Sequence, residues 1–260
     1  MFRSNVEDKK GEEETMGNSK NSMVLYGKNS VFERLRTNPA SITKIFLQES
    51  FKVQHIEKLI TANKILTERL SPNGLTKMKH SKDLQGIVAR VSRFRYIPFG
   101  KMLDKSKGKE STLVFLDRIN DPQNLGVIIR ILACFGRFSV IIPEFEACGI
   151  NETVLHVASG GENYVPISMV PNLSNAIIKA KESGYWILGA EVDENIKDIN
   201  TISLPFPLGL VLGSEGKGIR HGLQKRLDLK AHIPMRGAKI SFNVSMACAI
   251  FCNEITKQRK

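Results

Sequence analysis

Three stretches of this 260-residue chain set glycines, small polar side chains and charges directly after apolar runs. The first is NDPQNLGVIIR, residues 120–130, which follows the run that ends at Leu116. Asp121 or Asn124 can cap a helix whose start Pro122 marks. Arg130 stands among Ile128, Ile129, Ile131 and Leu132, where a guanidinium calls for a partner or a ligand, and Gly126 four residues earlier leaves room beside it. An arginine on a solvent face is the plain alternative. The second stretch is GSEGKG, residues 213–218, after the apolar run 208–212. Its glycines let a backbone approach a ligand closely, and the helix expected next offers free N–H groups. The spacing matches neither GxxxxGKS/T nor GxGxxG, and Glu215 at its centre repels a pyrophosphate, so a nucleoside-like ligand without phosphates fits better. A tight turn that needs glycines for its own sake is the alternative here. The third stretch, IPMRGAKISFNVS, residues 233–245, leaves a strand and enters the last helix. Capping accounts for one of Ser241, Asn243 and Ser245 but not for the Ile233-Pro-Met upstream. The histidines at 55, 80, 156, 221 and 232 show no ligand spacing, and no Ser/His/Asp order stands out, which argues against metal and hydrolase chemistry.

The elements that must position these loops are legible as an alternation. From residue 112, strand-like runs at 113–116, 139–143, 165–170, 185–189, 208–212 and 231–234 alternate with helical periods at 124–135, 152–158, 173–183, 219–227 and 244–257. Gly136 and Gly184 stand where a left-handed residue ends a helix. Near-continuous apolar strands joined by helices predict an α/β domain with a parallel sheet covered on both faces, and ligands in such sheets bind beyond the carboxyl ends of the strands. Residues 23–97 predict a smaller α/β unit, with strands at 24–26, 42–47 and 86–91 and helices at 30–36 and 56–62. The Lys/Gly/Ser-rich segment 98–111, PFGKMLDKSKGKES, reads as the linker. Residues 1–22 lack any apolar period and predict a disordered tail.

The net charge of +12 divides unevenly into −1 over residues 1–22, +11 over 23–110 and +2 over 111–260. It is densest from 77 to 109, where ten basic residues face only Asp83 and Asp104. Such clustering points to a polyanion, nucleic acid above all, with a solvated basic surface as the bland alternative. No apolar run approaches the length of a membrane span and the start carries no hydrophobic secretory core, so a transmembrane protein is excluded and a cytoplasmic one expected. Cys134, Cys148, Cys248 and Cys252 fall at apolar positions without a CxxC pair and are expected as buried free thiols, the last two on one helix face.

Taken in order, NDPQNLGVIIR, LVLGSEGKGI and IPMRGAKISFNVSMA resemble the three signature motifs of the SpoU/TrmH branch of the SPOUT superfamily, the RNA ribose 2′-O-methyltransferases. Upstream, VLYGKNSVFERLR and LQGIVARV resemble the substrate-binding domain of the ribosomal RNA members, and the likeness runs to the bacterial 23S rRNA guanosine-2′-O-methyltransferases. The resemblance implies a C-terminal SPOUT domain over 112–260 closed by a deep trefoil knot, S-adenosylmethionine bound in that knot without any metal, RNA as substrate, and two subunits pairing to complete the site. Carried over residue by residue, it implies cofactor contacts at Gly213, Ile233 and Phe242 and a catalytic group of Asn124, Arg130, Glu215, Ser241 and Asn243. Phe242 departs from the family's usual Leu, and Leu84-Gln85-Gly86 from its His-Gln-Gly.

On this reading a ribose 2′-oxygen attacks the sulfonium methyl in line. A guanidinium is a poor base, so Arg130 is expected to orient phosphate and stabilise developing alkoxide, with Glu215 positioning it. Two rivals are a tRNA substrate and a non-catalytic RNA-binding factor. The intact set of Asn124, Arg130, Glu215 and Asn243 argues against the second.

Overall fold

The computed structural model describes residues 22–106, 111–193, 195–238 and 240–259, so the expected tail up to residue 21 lies outside the described residues. The chain divides into two compact units at Arg95 and Tyr96. In the first, β1 (Ser22–Tyr26), α1 (Lys28–Thr37), β2 (Ile42–Gln48), α2 (Gln54–Ala62), β3 (Thr67–Leu70), α3 (Pro72–Met78) and β4 (Ile87–Ser92) follow one another. The sheet order is β1-β4-β2-β3, antiparallel except for the parallel β2–β3 pair. Leu25, Val31, Ile45, Ile56, Ile87 and Val88 are fully buried and form its core.

Neither β3 nor α3 is foreseen from the hydrophobic pattern, and the reason is visible. Strand β3 is an edge strand whose Thr67, Glu68 and Arg69 are exposed, held by ion pairs of Glu68 to Lys44 (2.7 Å) and Arg69 to Glu57 (2.8 Å). An edge strand needs one partner and one half-covered face, so it carries no apolar alternation. Helix α3 announces itself only by its cap, with Ser71 accepting from the Gly74 N–H at 3.2 Å and Pro72 in the first turn.

The second unit opens with α4 (Phe99–Ser106), then β5 (Thr112–Leu116), α5 (Pro122–Phe135), β6 (Phe138–Pro143), α6 (Glu152–Ala158), β7 (Ile167–Val170), α7 (Leu173–Glu182), β8 (Trp186–Ala190), β9 (Lys197–Asp198), β10 (Leu208–Leu212), α8 (His221–Gln224), β11 (Leu229–His232) and α9 (Val244–Gln258). Its sheet runs β7-β6-β5-β10-β8-β11-β9, every pair parallel, as the alternation predicts. Strands β5, β6 and β10 are buried along their whole length, which is why their sequences are continuously apolar.

Three expectations change. The 98–111 linker contains helix α4, and its Met102 and Leu103 are buried in the core with Phe115, Ile177 and Tyr185. Phe99, Met102 and Leu103 follow the i, i+3, i+4 spacing of a helix face, which the surrounding Lys, Gly and Ser obscure; residues 107–110 lie outside the described residues. The helix expected over 219–227 shrinks to His221–Gln224, because Ile219 is drawn into the core before the helix starts. Of the four cysteines only Cys248 and Cys252 are buried, their sulfurs 3.8 Å apart on α9; Cys134 is exposed and Cys148 half-buried. Gly136 and Gly184 take φ of +69° and +89° at the ends of α5 and α7, as their positions require.

Candidate active site

Helix α5 starts beyond the carboxyl end of β5. Asp121 is its cap, accepting the Gln123 N–H at 2.9 Å, so the choice between Asp121 and Asn124 falls to Asp121 and the Asn124 side chain is left for other work. At the start of α9, Asn243 does both jobs. Its carbonyl oxygen accepts the Ser245 N–H (2.8 Å) and hydroxyl (2.6 Å), while its amide donates to Asn124 Oδ1 (2.9 Å) and Glu215 Oε1 (2.5 Å). Asn124 Nδ2 donates to the same Glu215 oxygen at 3.2 Å. Two amides, one from the first turn of α5 and one from the start of α9, therefore meet at the Glu215 carboxylate of the glycine loop.

Glu215 is carried by the 213–218 loop, which closes on itself as the Gly218 N–H donates to Ser214 O at 2.9 Å. Gly216 and Gly218 hold φ of +79° and +60°, a region that side chains resist. A Cβ at Gly213 would run into the backbone of Gly218 and Ile219, so the glycine there is demanded first by the loop's own closure and not by a ligand. The loop is pinned from beneath by Asp117, a fully buried acid at the end of β5. Arg220 donates to it through its backbone N (2.9 Å) and Nε (2.7 Å), and Arg118 Nη2 reaches Gly218 O at 3.0 Å. Asp117, Arg118 and Arg220 are absent from the sequence-based site, although a lone acid closing the apolar run TLVFL was the available signal.

Beside this carboxylate lies a cavity of about 160 Å³, lined by Gly213, Glu215, Ile233, Ser241, Phe242 and further residues, among them Glu191, Met235 and Phe251. The cavity sits where β10, β8 and β11 end, at the sheet edge where a ligand is expected. Its walls are mostly apolar, and among the described residues its charged side chains are Glu191 and Glu215, with no lysine or arginine. That pair of carboxylate acceptors on apolar walls suits a nucleoside bearing a positive sulfonium and disfavours a phosphate-bearing cofactor. Burial pushes the Glu191 carboxyl above its usual range, against the opposing pull of Lys230 and of the Gln224 hydrogen bond. Among the described residues no three His, Cys, Asp or Glu side chains gather as a metal site.

Arg130 stands apart from this group. It is exposed and donates to Ser159 Oγ at 3.4 Å. Six residues beyond Asn124 on one helix means about 9 Å along the axis and about 240° around it. The Ile128, Ile129 and Leu132 that flank it in sequence are buried on other sides of α5, so the expectation of a guanidinium embedded in apolar surroundings is corrected. The role expected of Gly126 changes too. A Cβ there would lie 2.6 Å from Val157 Cβ, so its smallness admits helix α6 and not the arginine.

Comparison with known proteins bears on both units. The profile described as SpoU rRNA Methylase family matches residues 111–253, and that described as RNA 2′-O ribose methyltransferase substrate binding matches 24–97. A Staphylococcus saprophyticus protein named for the TrmH family of tRNA/rRNA methyltransferases is 32% identical over 91% of this chain and 96% of its own. The 23S rRNA (guanosine-2′-O-)-methyltransferase of Coxiella burnetii is 35% identical over 91% and 96%. The fold is shared with the AdoMet-bound rRNA methyltransferase of Sinorhizobium meliloti, at a TM-score of 0.76 and 22% identity, covering 92% of this chain and 88% of that one. Both profiles fall in chain order on the two units, the second of which has the all-parallel sheet, and so the chain belongs to the SpoU rRNA methylase family and carries ahead of it the substrate-binding unit of RNA 2′-O ribose methyltransferases.

Proposed function

We propose that the protein methylates the ribose 2′-hydroxyl of a guanosine in 23S rRNA, as a pair of subunits, with donor and acceptor meeting at Asn124, Glu215 and Asn243. The observation that carries the site is the convergence of the Asn124 and Asn243 amides on the Glu215 carboxylate, at the rim of a mostly apolar cavity with no lysine or arginine among its described lining residues. S-adenosylmethionine supplies an activated methyl there. Gly213, Ile233 and Phe242 hold the donor at the edge of β10 and β11, within the segment that the trefoil knot would close; Ser241 lines the same cavity. Glu215, fixed by two amide donors through one oxygen, keeps its other oxygen to orient the reacting ribose.

Arg130 acts on the site of the partner subunit, because its own helix turns it away from Asn124. Exposed apolar side chains at Ile240 (73%), Phe242 (46%) and Met246 (58%) flank Asn243 and supply a surface for that pairing. The 23S rRNA target is supported by the likeness to the Coxiella burnetii protein and by the basic first unit, which holds 14 Lys/Arg against 5 Asp/Glu between residues 22 and 95. A tRNA substrate is a second reading, favoured by the tRNA/rRNA naming of the Staphylococcus saprophyticus relative.

Incubation with methyl-labelled S-adenosylmethionine and separate rRNA and tRNA pools, followed by mapping of the label, decides between them. Label in rRNA at a guanosine ribose is expected; label confined to tRNA transfers the function to the second reading, and no label in either refutes both. Arg130→Ala and Glu215→Ala are each expected to abolish transfer, Arg130→Ala with cofactor binding unchanged. Mixed after subunit exchange, the two should regain part of the activity, since one site of the heterodimer then holds both groups. No recovery would place Arg130 in its own subunit's site.

A further inference from the structure

We propose that Glu191 binds the ribose hydroxyls of the methyl donor, a subsite that none of the three signature loops provides. The inference rests on the cavity being the S-adenosylmethionine pocket. Glu191 is the first residue beyond β8, and β8 lies between β10, which ends in the glycine loop, and β11, which ends at Ile233. Its position is therefore central among the elements that wall the cavity. Its backbone N–H donates to Ala231 O at 3.0 Å, and its Oε1 accepts from Gln224 Nε2 at 3.2 Å. The side chain is thus oriented through one oxygen, and no hydrogen bond to the other is present among the described residues.

The rest of the lining decides what that oxygen takes. The other acid, Glu215, is held by Asn124 and Asn243 on the side where the acceptor ribose is proposed to react, so Glu191 is the carboxylate left for the donor. It is half-buried beside Val192, Leu212 and Met235, where a carboxylate is costly unless donors reach it. Lys230 already supplies nearby positive charge, so an uncharged pair of donors completes the site better than a second cation. Within an adenosyl amino acid, the vicinal hydroxyls of the ribose are that pair, two O–H groups spaced to reach one carboxylate through charge-assisted hydrogen bonds. The adenine then lies on the apolar wall, and the α-ammonium belongs elsewhere in the cavity.

Calorimetry on the full chain tests this with S-adenosylhomocysteine, its 2′-deoxy and 3′-deoxy forms, and its deaminated form. In the unaltered protein, removing a ribose hydroxyl should weaken binding about tenfold. Glu191→Gln should bind S-adenosylhomocysteine about tenfold more weakly, and its penalty for the missing hydroxyl should shrink below about threefold. Glu191→Asp, which keeps the charge but draws it back by one methylene, gives the same comparison if the glutamine variant fails to fold. An undiminished deoxy penalty in the variants overturns the proposal alone, as does a penalty that vanishes for the deaminated form instead. Failure of the unaltered protein to bind S-adenosylhomocysteine overturns the reading of the cavity and this proposal with it.

Discussion

Asn243 shows how one side chain can cap a helix and hold a carboxylate of the candidate site through different atoms. Its carbonyl oxygen caps α9 and its amide holds Glu215. The two roles separate by substitution. Asn243→Ser keeps a capping oxygen and loses the amide donor without adding charge, so Tm should stay near that of the parent while the methyl transfer rate falls by about a hundredfold or more. Asn243→Ala loses both, and thermal unfolding should show an additional loss of about 1 kcal/mol. Equal stability of the alanine variant and the parent would show that the cap is redundant. From the sequence, Asn243 reads as a cap or as a catalytic group; in the structure the capping oxygen and the amide that reaches Glu215 are the two distinguishable ends of one side chain.

Among the elements, α5 carries the longest stretch of site residues and is also tightly packed. Helix α6 crosses it at Gly126, where a methyl group would sit 2.6 Å from Val157 Cβ and 2.8 Å from its Cγ1. Gly126→Ala should therefore destabilise the protein by about 1–3 kcal/mol through overpacking, despite the better helix propensity of alanine. Val157→Ala in the same chain removes the 2.8 Å contact with Cγ1 but leaves Cβ at 2.6 Å, so denaturant unfolding should show the double variant recovering only part of the loss. Additive losses would mean that Gly126 matters for some reason other than this crossing. Elements with a buried face, such as β5, β10 and α5, are legible in the sequence because burial imposes apolar residues at a fixed period. Edge strand β3 is not, nor are the short bounds of α8, since each depends on neighbours that come from elsewhere in the chain.

At the scale of the whole molecule, the basic excess and the catalytic loops fall in different units. A chain beginning at Tyr96 keeps α4 and should still bind S-adenosylhomocysteine, whereas RNA affinity should fall and its log–log salt slope flatten by about 0.7–0.9 for each phosphate that the protein no longer neutralises. A chain beginning at Lys109 discards Met102 and Leu103 from the core and should unfold at a distinctly lower temperature, since each large buried side chain contributes about 2–5 kcal/mol. RNA binding and its salt dependence, measured beside Tm for both truncations, check this. An unchanged slope after removal of residues before 96 would show that the basic unit is only a solvated surface. Arg90 and Lys79 are already committed in part to the Phe46 and Tyr26 rings, at 5.9 and 5.5 Å, so not every charge in the basic run is free for phosphate.

The periodicity and the three loops determined the parallel α/β class, the carboxyl edge of the sheet as the place of the cavity, and several of the side chains gathered there. Those features are local, set by which faces must be buried and by which backbone turns need glycine. The structure decided what depends on distance in space. It joined Asn124, Glu215 and Asn243 across 91 and 28 residues of sequence, turned Arg130 away from Asn124, placed α4 in the supposed linker, and brought Asp117 beneath the glycine loop and Glu191 to the cavity from strand ends that carried no motif. A single acid at the end of an apolar strand looks the same whether it meets solvent or a loop; only the crossing of the strands, β8 between β10 and β11, tells the two apart.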